Sequence, residues 1–202
     1  MVAYEMSPGQ GPLRQGEILS NVVEVRFVLE SLKPDTDPLL HEIVHPYVVV
    51  LTQDCDLDWD YKSRCSTDAP PPANKLVPNV LLCPAMMAED LRVEQGMNAA
   101  IWRRASSNAD ERFHFLPSVP GDLDGHSIGI PSLVIDFKRV LTVPTDELYY
   151  RLEVEAQRRC FLVPPFLHSL STRFTYFAGR VGLPESAATV PTPPLALPPV
   201  GV

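Results

Sequence analysis

The sequence predicts a β-rich α+β domain, and three observations predict it. Twenty-two of the 202 residues are proline, about twice the roughly 5% usual in proteins, and proline restricts both helices and central strands. Short apolar runs rich in β-branched residues recur at 47–51, 80–83 and 133–143, the composition of buried strands. One segment alone carries clear helical spacing: Phe166, Leu170, Phe174, Phe177 and Val181 after Pro164-Pro165, with the prolines suited to a helix start and Gly182 to its end.

The elements are justified in chain order. Residues 1–15 are polar with Gly and Pro and read as a flexible lead-in. From Gly16 the chain alternates, and Val23, Val25, Phe27 and Leu29 share one face of a strand. Pro34, Asp35, Asp37 and Pro38 end it with turn chemistry. His45-Pro46 then precedes the continuous run 47–51, suited to a strand buried on both faces. Residues 58–78 are polar and centred on Pro70-Pro71-Pro72, which reads as a long loop. A short strand at 80–83 stops at Pro84. Residues 86–104 have helical composition weakened by Gly96, and Phe113 with Phe115 suggests a short strand. Residues 133–143 form the next strand, whereas 148–163 fit either helix or strand. After the helix at 165–181, residues 184–202 are free of charge apart from Glu185 and read as a proline-rich, extended tail. The division is lead-in 1–15, one domain 16–183, and tail 184–202.

Composition bounds the function. Lys+Arg 17 against Asp+Glu 25 gives a formal charge of −8, so nucleic acid would need a local basic patch. No apolar stretch approaches the ~20 residues that span a bilayer, and the N-terminus lacks a signal-peptide pattern. Cys55, Cys65, Cys83 and Cys160 are widely spaced, without a C-x-x-C pair. Reduced thiols in a cytoplasmic protein without membrane contact are the expectation.

The segment Thr52-Gln53-Asp54-Cys55-Asp56-Leu57-Asp58-Trp59-Asp60 carries four carboxylates at alternate positions. In an extended chain they would line one face and repel unless a cation or arginines neutralised them. A hard-metal site is one reading and a solvated acidic loop the plainer one. The spacing imitates an EF-hand loop, but Trp59 stands at its glycine and Cys65 at its bidentate glutamate. Cys55 as a nucleophile would have its thiol held protonated by Asp54 and Asp56. Basic residues cluster at Arg103-Arg104, Lys138-Arg139, Arg158-Arg159, Arg173 and Arg180; beside aromatic residues they could hold phosphate and stack bases, or simply answer carboxylates.

Gly16-Glu17-Ile18-Leu19 with the strand after it, His45-Pro46 with the run ending Leu51-Thr52, Val80-Leu81-Leu82-Cys83-Pro84, and Leu133-Val134-Ile135-Asp136-Phe137-Lys138-Arg139-Val140 together resemble, over about half the chain, the MazF/PemK-like toxin family of small SH3-like barrels. Gln53-x-Cys55-Asp56 and the segment from Pro164-Pro165-Phe166 through Leu170-Ser171 and Phe174 to Arg180-Val181-Gly182-Leu183-Pro184 are similar to a group of bacterial proteins with a Ser/Thr-Gln-x-Cys-Asp motif. That likeness spans most of 16–184 and brings no activity. The barrel likeness implies metal-independent RNA cleavage by an Arg in the Arg-Pro pair and a Ser/Thr after the third strand, and it implies a homodimer. Here His45 replaces that Arg and Ala85-Met86 the second region; His45 could still act as acid, base or phosphate contact.

The fold expected on this basis is a strongly curved, five- or six-stranded SH3-like barrel with long inserted loops and the C-terminal amphipathic helix packed on it. The first functional reading is a toxin-like or host-defence RNA-associated protein, an endoribonuclease acting on single-stranded RNA. Its catalytic candidates are His45, Asp54, Cys55 and Asp56, and its nucleic-acid contacts Gln53, Lys138, Arg139, Arg173 and Arg180. No cofactor is required and no metal ligands are assigned. The second reading is a non-catalytic interaction module that binds a cognate protein; the third is a metal-dependent enzyme built on Asp54-Cys55-Asp56. A basic groove beside His45 would favour RNA, and arginines paired to carboxylates would favour the module.

Overall fold

The computed structural model describes residues 2–32, 37–67, 70 and 72–180, without the side chain of residue 30. In chain order the elements are β1 (Tyr4–Met6), β2 (Glu17–Phe27), β3 (Leu40–Val50), α1 (Asp54–Arg64), β4 (Asn79–Met87), α2 (Ala88–Glu94), α3 (Ala99–Ser106), β5 (Phe113–Leu116), β6 (Leu133–Asp136), β7 (Leu141–Pro144), α4 (Thr145–Val154), β8 (Gln157–Leu162) and α5 (Phe166–Ala178). All strand pairings are antiparallel, in the order β1-β8-β2-β3-β4-β6-β5, and β7 lies against the first half of β4 while β6 takes the second.

The α+β class stands, but the small barrel does not form. Among the described residues the path has two ends, β1 and β5, that do not pair with each other, so the eight-stranded sheet is open. The outer edge of β5 is already satisfied by side chains. Asn108 Nδ2 donates to the Phe115 carbonyl at 3.0 Å, its Oδ1 accepts from the Phe115 N–H at 2.6 Å, and Arg173 donates to the Phe113 carbonyl at 2.7 Å. An edge capped in this way offers no ladder for closure.

The central strands are buried on both faces, as their continuous apolar runs imply. Ile18, Val49 and Cys83 point into one core with Ile135, Leu162 and Leu170 of α5. Their neighbours Leu19, Val48, Val50 and Leu82 point into a second core with Leu57 of α1 and Leu148 of α4. A smaller core joins α2 and α3 to Phe113 and Val134. Helix α5 presents Phe166, Leu170, Phe174 and Phe177 to the first core; Val181, Gly182 and the tail 184–202 lie outside the described residues.

Four local expectations change. The lead-in contains β1, fixed because Tyr4 and Leu13 are buried. The acidic run is helical from Asp54 rather than extended: Asp54 and Asp56 occupy the first turn and Lys62 and Arg64 the last, matching the helix dipole, while Asp58–Lys62 (2.6 Å) and Asp60–Arg64 (2.7 Å) pair at i,i+4. The 86–104 segment splits, because Gly96 adopts a φ of +57° and Asn98 caps α3 by accepting from the Ala100 and Ile101 N–H groups. The 133–143 run is two strands separated by a turn in which the Arg139 N–H donates to the Asp136 carbonyl at 2.7 Å. The ambiguous 148–163 region is the end of α4 followed by β8.

One part of the sheet stands apart. β8 pairs with β2 only over residues 17–20 and β4 with β3 only over 48–50, whereas β2 and β3 pair from Ile18–Val49 out to Phe27–Leu40. Beyond Val22 and His45 they form a two-stranded ribbon.

Candidate functional site

The structure does not bring the candidate residues together. His45 lies on β3 opposite Val22, and its Nε2 is 2.9 Å from Glu24 Oε2. Glu24 also receives two hydrogen bonds from Arg26, at 2.6 and 3.0 Å. Partial burial opposes ionisation of Glu24, but the bonds from Arg26 and His45 outweigh it and hold the carboxyl below the ordinary range. His45 therefore faces a carboxylate that Arg26 also engages.

Gln53, Asp54, Cys55 and Asp56 lie at the start of α1. Asp54 accepts from the Gln15 N–H at 2.6 Å, and Gln15 Nε2 donates to the Leu51 carbonyl at 3.0 Å, so Asp54 ties the approach to β2 to the exit of β3. The Cys55 thiol is exposed and lies 3.7 Å from both Gln53 Oε1 and Asp56 Oδ1. Successive alternate positions on a helix are about 200° apart, which puts Asp54 and Asp58 towards one side of α1 and Asp56 and Asp60 towards the other. Asp58 is exposed against Lys62, while Asp60 is fully buried, accepting from Arg64 and, at 2.8 Å, from the Val77 N–H. Among the described residues no group of three or more His, Cys, Asp or Glu side chains could hold a metal ion.

The basic candidates are dispersed and engaged. Arg139 pairs with Glu94 at 2.9 Å and with Asp136 at 3.6 Å. Arg180 lies over the Phe177 ring and 3.3 Å from Glu111. Arg173 donates to the Asn108, Asp110 and Phe113 carbonyls and to His114 Nδ1 at 3.0 Å, pinning α5 to the turn before β5. Of this set, the Lys138 ammonium alone makes neither an ion pair nor a hydrogen bond among the described residues. Arg158 clamps Glu17 at 2.7 Å and the Gly11 and Pro12 carbonyls, and Arg159 grips Asp124.

Sequence reading missed a different feature. The alternation Val23, Val25, Phe27 indicates a shared strand face without saying what covers it. In the ribbon, cross-strand partners share a face, so Val25/Glu42, Phe27/Leu40 and Val23/Val44 lie on one side and Glu24/Ile43 and Arg26/His41 on the other. Phe27 is 57% exposed, Leu40 60% and Val44 57%. The signal was present in the lower hydrophobicity of the partner stretch 40–45, Leu-His-Glu-Ile-Val-His, which cannot fill a layer over β2.

No protein-family model matches the chain, and no curated protein matches it. Among the described residues no helix is long and apolar enough to cross a membrane.

Proposed function

We propose that this protein is a non-catalytic interaction module that binds protein through the β2–β3 ribbon. The observation that supports it is the pairing of charges: His45, Arg139 and Arg180 each face a carboxylate, and Arg173 is consumed by backbone carbonyls. Neutralising RNA phosphates takes several free cations on one surface, and here the uncommitted cation of the candidate set is Lys138. Buried thiols add no nucleophile, since burial pushes Cys83 and Cys160 up to about 12.

The test is incubation of the purified protein with a long single-stranded RNA, with magnesium and separately with EDTA. No cleavage under either condition is expected. EDTA-resistant cleavage lost in His45→Ala would restore the ribonuclease reading, and EDTA-sensitive cleavage lost in Asp54→Ala or Asp56→Ala would move the chemistry to the start of α1.

A further inference from the structure

A cavity of about 140 Å³ lies between β5, β8 and the first turns of α5. Leu116, Pro117, Leu162 and Phe166 give it apolar walls. Its polar side chains are His114, Ser169 and Asn108, and the Asn108 amide is spent on Phe115. Side chains alternate along β5, so Phe113 and Phe115 turn to the α2–α3 core while His114 and Leu116 turn to the side of Phe137 and α5. On α5, Phe166, Ser169 and Arg173 follow one another at i,i+3 and i,i+4 and share the side that meets β5.

His114 is 3% exposed. The backbone groups of Phe113 and Phe115 face the outer edge of β5, so those of His114 face Ile135 of β6, and it borders the cavity with its ring. Arg173 Nε lies 3.0 Å from His114 Nδ1. A guanidinium only donates, so Nδ1 accepts and the proton of the neutral ring sits on Nε2. Burial and the charge of Arg173 hold the ring pKa down to about 3, which keeps it neutral at pH 7. Among the described residues Nε2–H has no acceptor, and the Ser169 hydroxyl at the exposed rim has no partner. Buried donors are ordinarily paired. A water here would find these two polar side chains, the low end of the two to four partners that hold a buried water.

Arg173 gives the site a preferred sign. It donates to three carbonyls and to His114 but makes no ion pair among the described residues. Asp110, whose charge Arg173 feels, is itself 3.8 Å from Arg104. The guanidinium N–H on Nδ1 polarises the imidazole and makes Nε2–H a stronger donor. We infer that this cavity binds a small carboxylate with a short, branched apolar body, whose oxygens accept from His114 Nε2–H and Ser169 Oγ–H. Its methyl groups lie against Leu116, Leu162 and Phe166. The volume sets the size, since an apolar cavity of ~150 Å³ admits benzene, with about six non-hydrogen atoms. The inference goes beyond the ribbon and does not depend on it.

The experiment is calorimetric titration of the full chain with sodium isobutyrate, and with isobutyramide as the uncharged molecule of the same shape. Isotope-labelled histidine locates the site by the ring N–H signal that is lost in His114→Asn. The expected result is saturable binding of isobutyrate at ~1 mM or tighter, with a shift of the His114 ring signal and isobutyramide at least about tenfold weaker. Ser169→Ala should weaken isobutyrate at least about threefold and His114→Asn at least about tenfold, while Thr175→Ala, exposed on another side of α5, leaves it unchanged. Circular dichroism checks that each variant folds, and Ser169, at an exposed position, keeps the test decisive where His114→Asn does not fold. No saturable binding, equal binding of isobutyramide, a His114 ring signal that does not move, or affinity unchanged in Ser169→Ala or in folded His114→Asn would overturn the inference.

Discussion

Asp124 is fully buried and accepts from Arg159 Nε and NH2, both at 2.6 Å, and from the Gly129 N–H at 2.9 Å. The Arg159 hydrogen bonds hold its carboxyl down to about 2, against burial. A depressed carboxyl contributes stability that is complete above its unfolded value of 3.8 and lost as pH falls through about 2. The contribution is about 2 kcal/mol, so Asp124→Asn should lower stability at neutral pH, and denaturant titrations should show less pH dependence between about 2 and 4. Arg159→Met would leave Asp124 buried without its cation, and a loss of about 3–5 kcal/mol is expected. His114 works in the same direction at milder acidity. Burial, then the charge of Arg173, pushes its pKa down to about 3. The unfolded chain therefore takes up the proton first, and stability should fall as pH drops from about 6.5 towards 3. His114→Asn keeps an acceptor for Arg173, and its thermal melting temperature should vary less across that window than the wild type's.

At the scale of elements, the capped edge of β5 is the feature most open to a single substitution. Asn108 supplies two hydrogen bonds to Phe115 and sits at a φ of +57°, a backbone region that asparagine tolerates better than alanine. Asn108→Ala should cost about 2–3 kcal/mol and, by uncapping β5, raise the rate of aggregation on heating, followed by light scattering. The elements differ in how much of them could be read in advance. Strands 47–51 and 80–83 and helix α5 were legible because local composition and burial agree there: Val48, Val49, Val50, Val80 and Leu82 are fully buried. Helix α1 was not, because its support comes from i,i+4 pairs such as Asp60–Arg64, which do not declare themselves in an alternating acidic run. The grouping of site candidates was least legible. Whether Arg173 meets phosphate or the Phe113 carbonyl depends on a contact sixty residues away, and pairing of this kind follows from the folded topology alone.

For the whole molecule, the two sheet-covering cores and the ribbon are energetically separable. Replacing residues 25–42 with an Asn-Gly turn joins Glu24 to Ile43, neighbours across the ribbon, and Asn-Gly suits such a hairpin. The shortened protein should keep its secondary structure by circular dichroism outside the ribbon and lie within about 1 kcal/mol of the parent in denaturant unfolding. Loss of cooperative unfolding would show instead that the ribbon belongs to the cores.

The pairing of β1 and β2 with β8 also has a kinetic consequence. Tyr4 meets Leu162 and Glu17 meets Phe161, so the first strands of the chain wait for nearly the last. During synthesis at about 5–20 residues per second, β2 would emerge and hairpin with β3 many seconds before β8 exists. Contacts of such long sequence separation slow the search for the native state, and until β8 arrives the seam of β2 stays open to other chains. Weaker induction, which keeps fewer incomplete chains together at once, should therefore shift the partition from aggregated towards folded product.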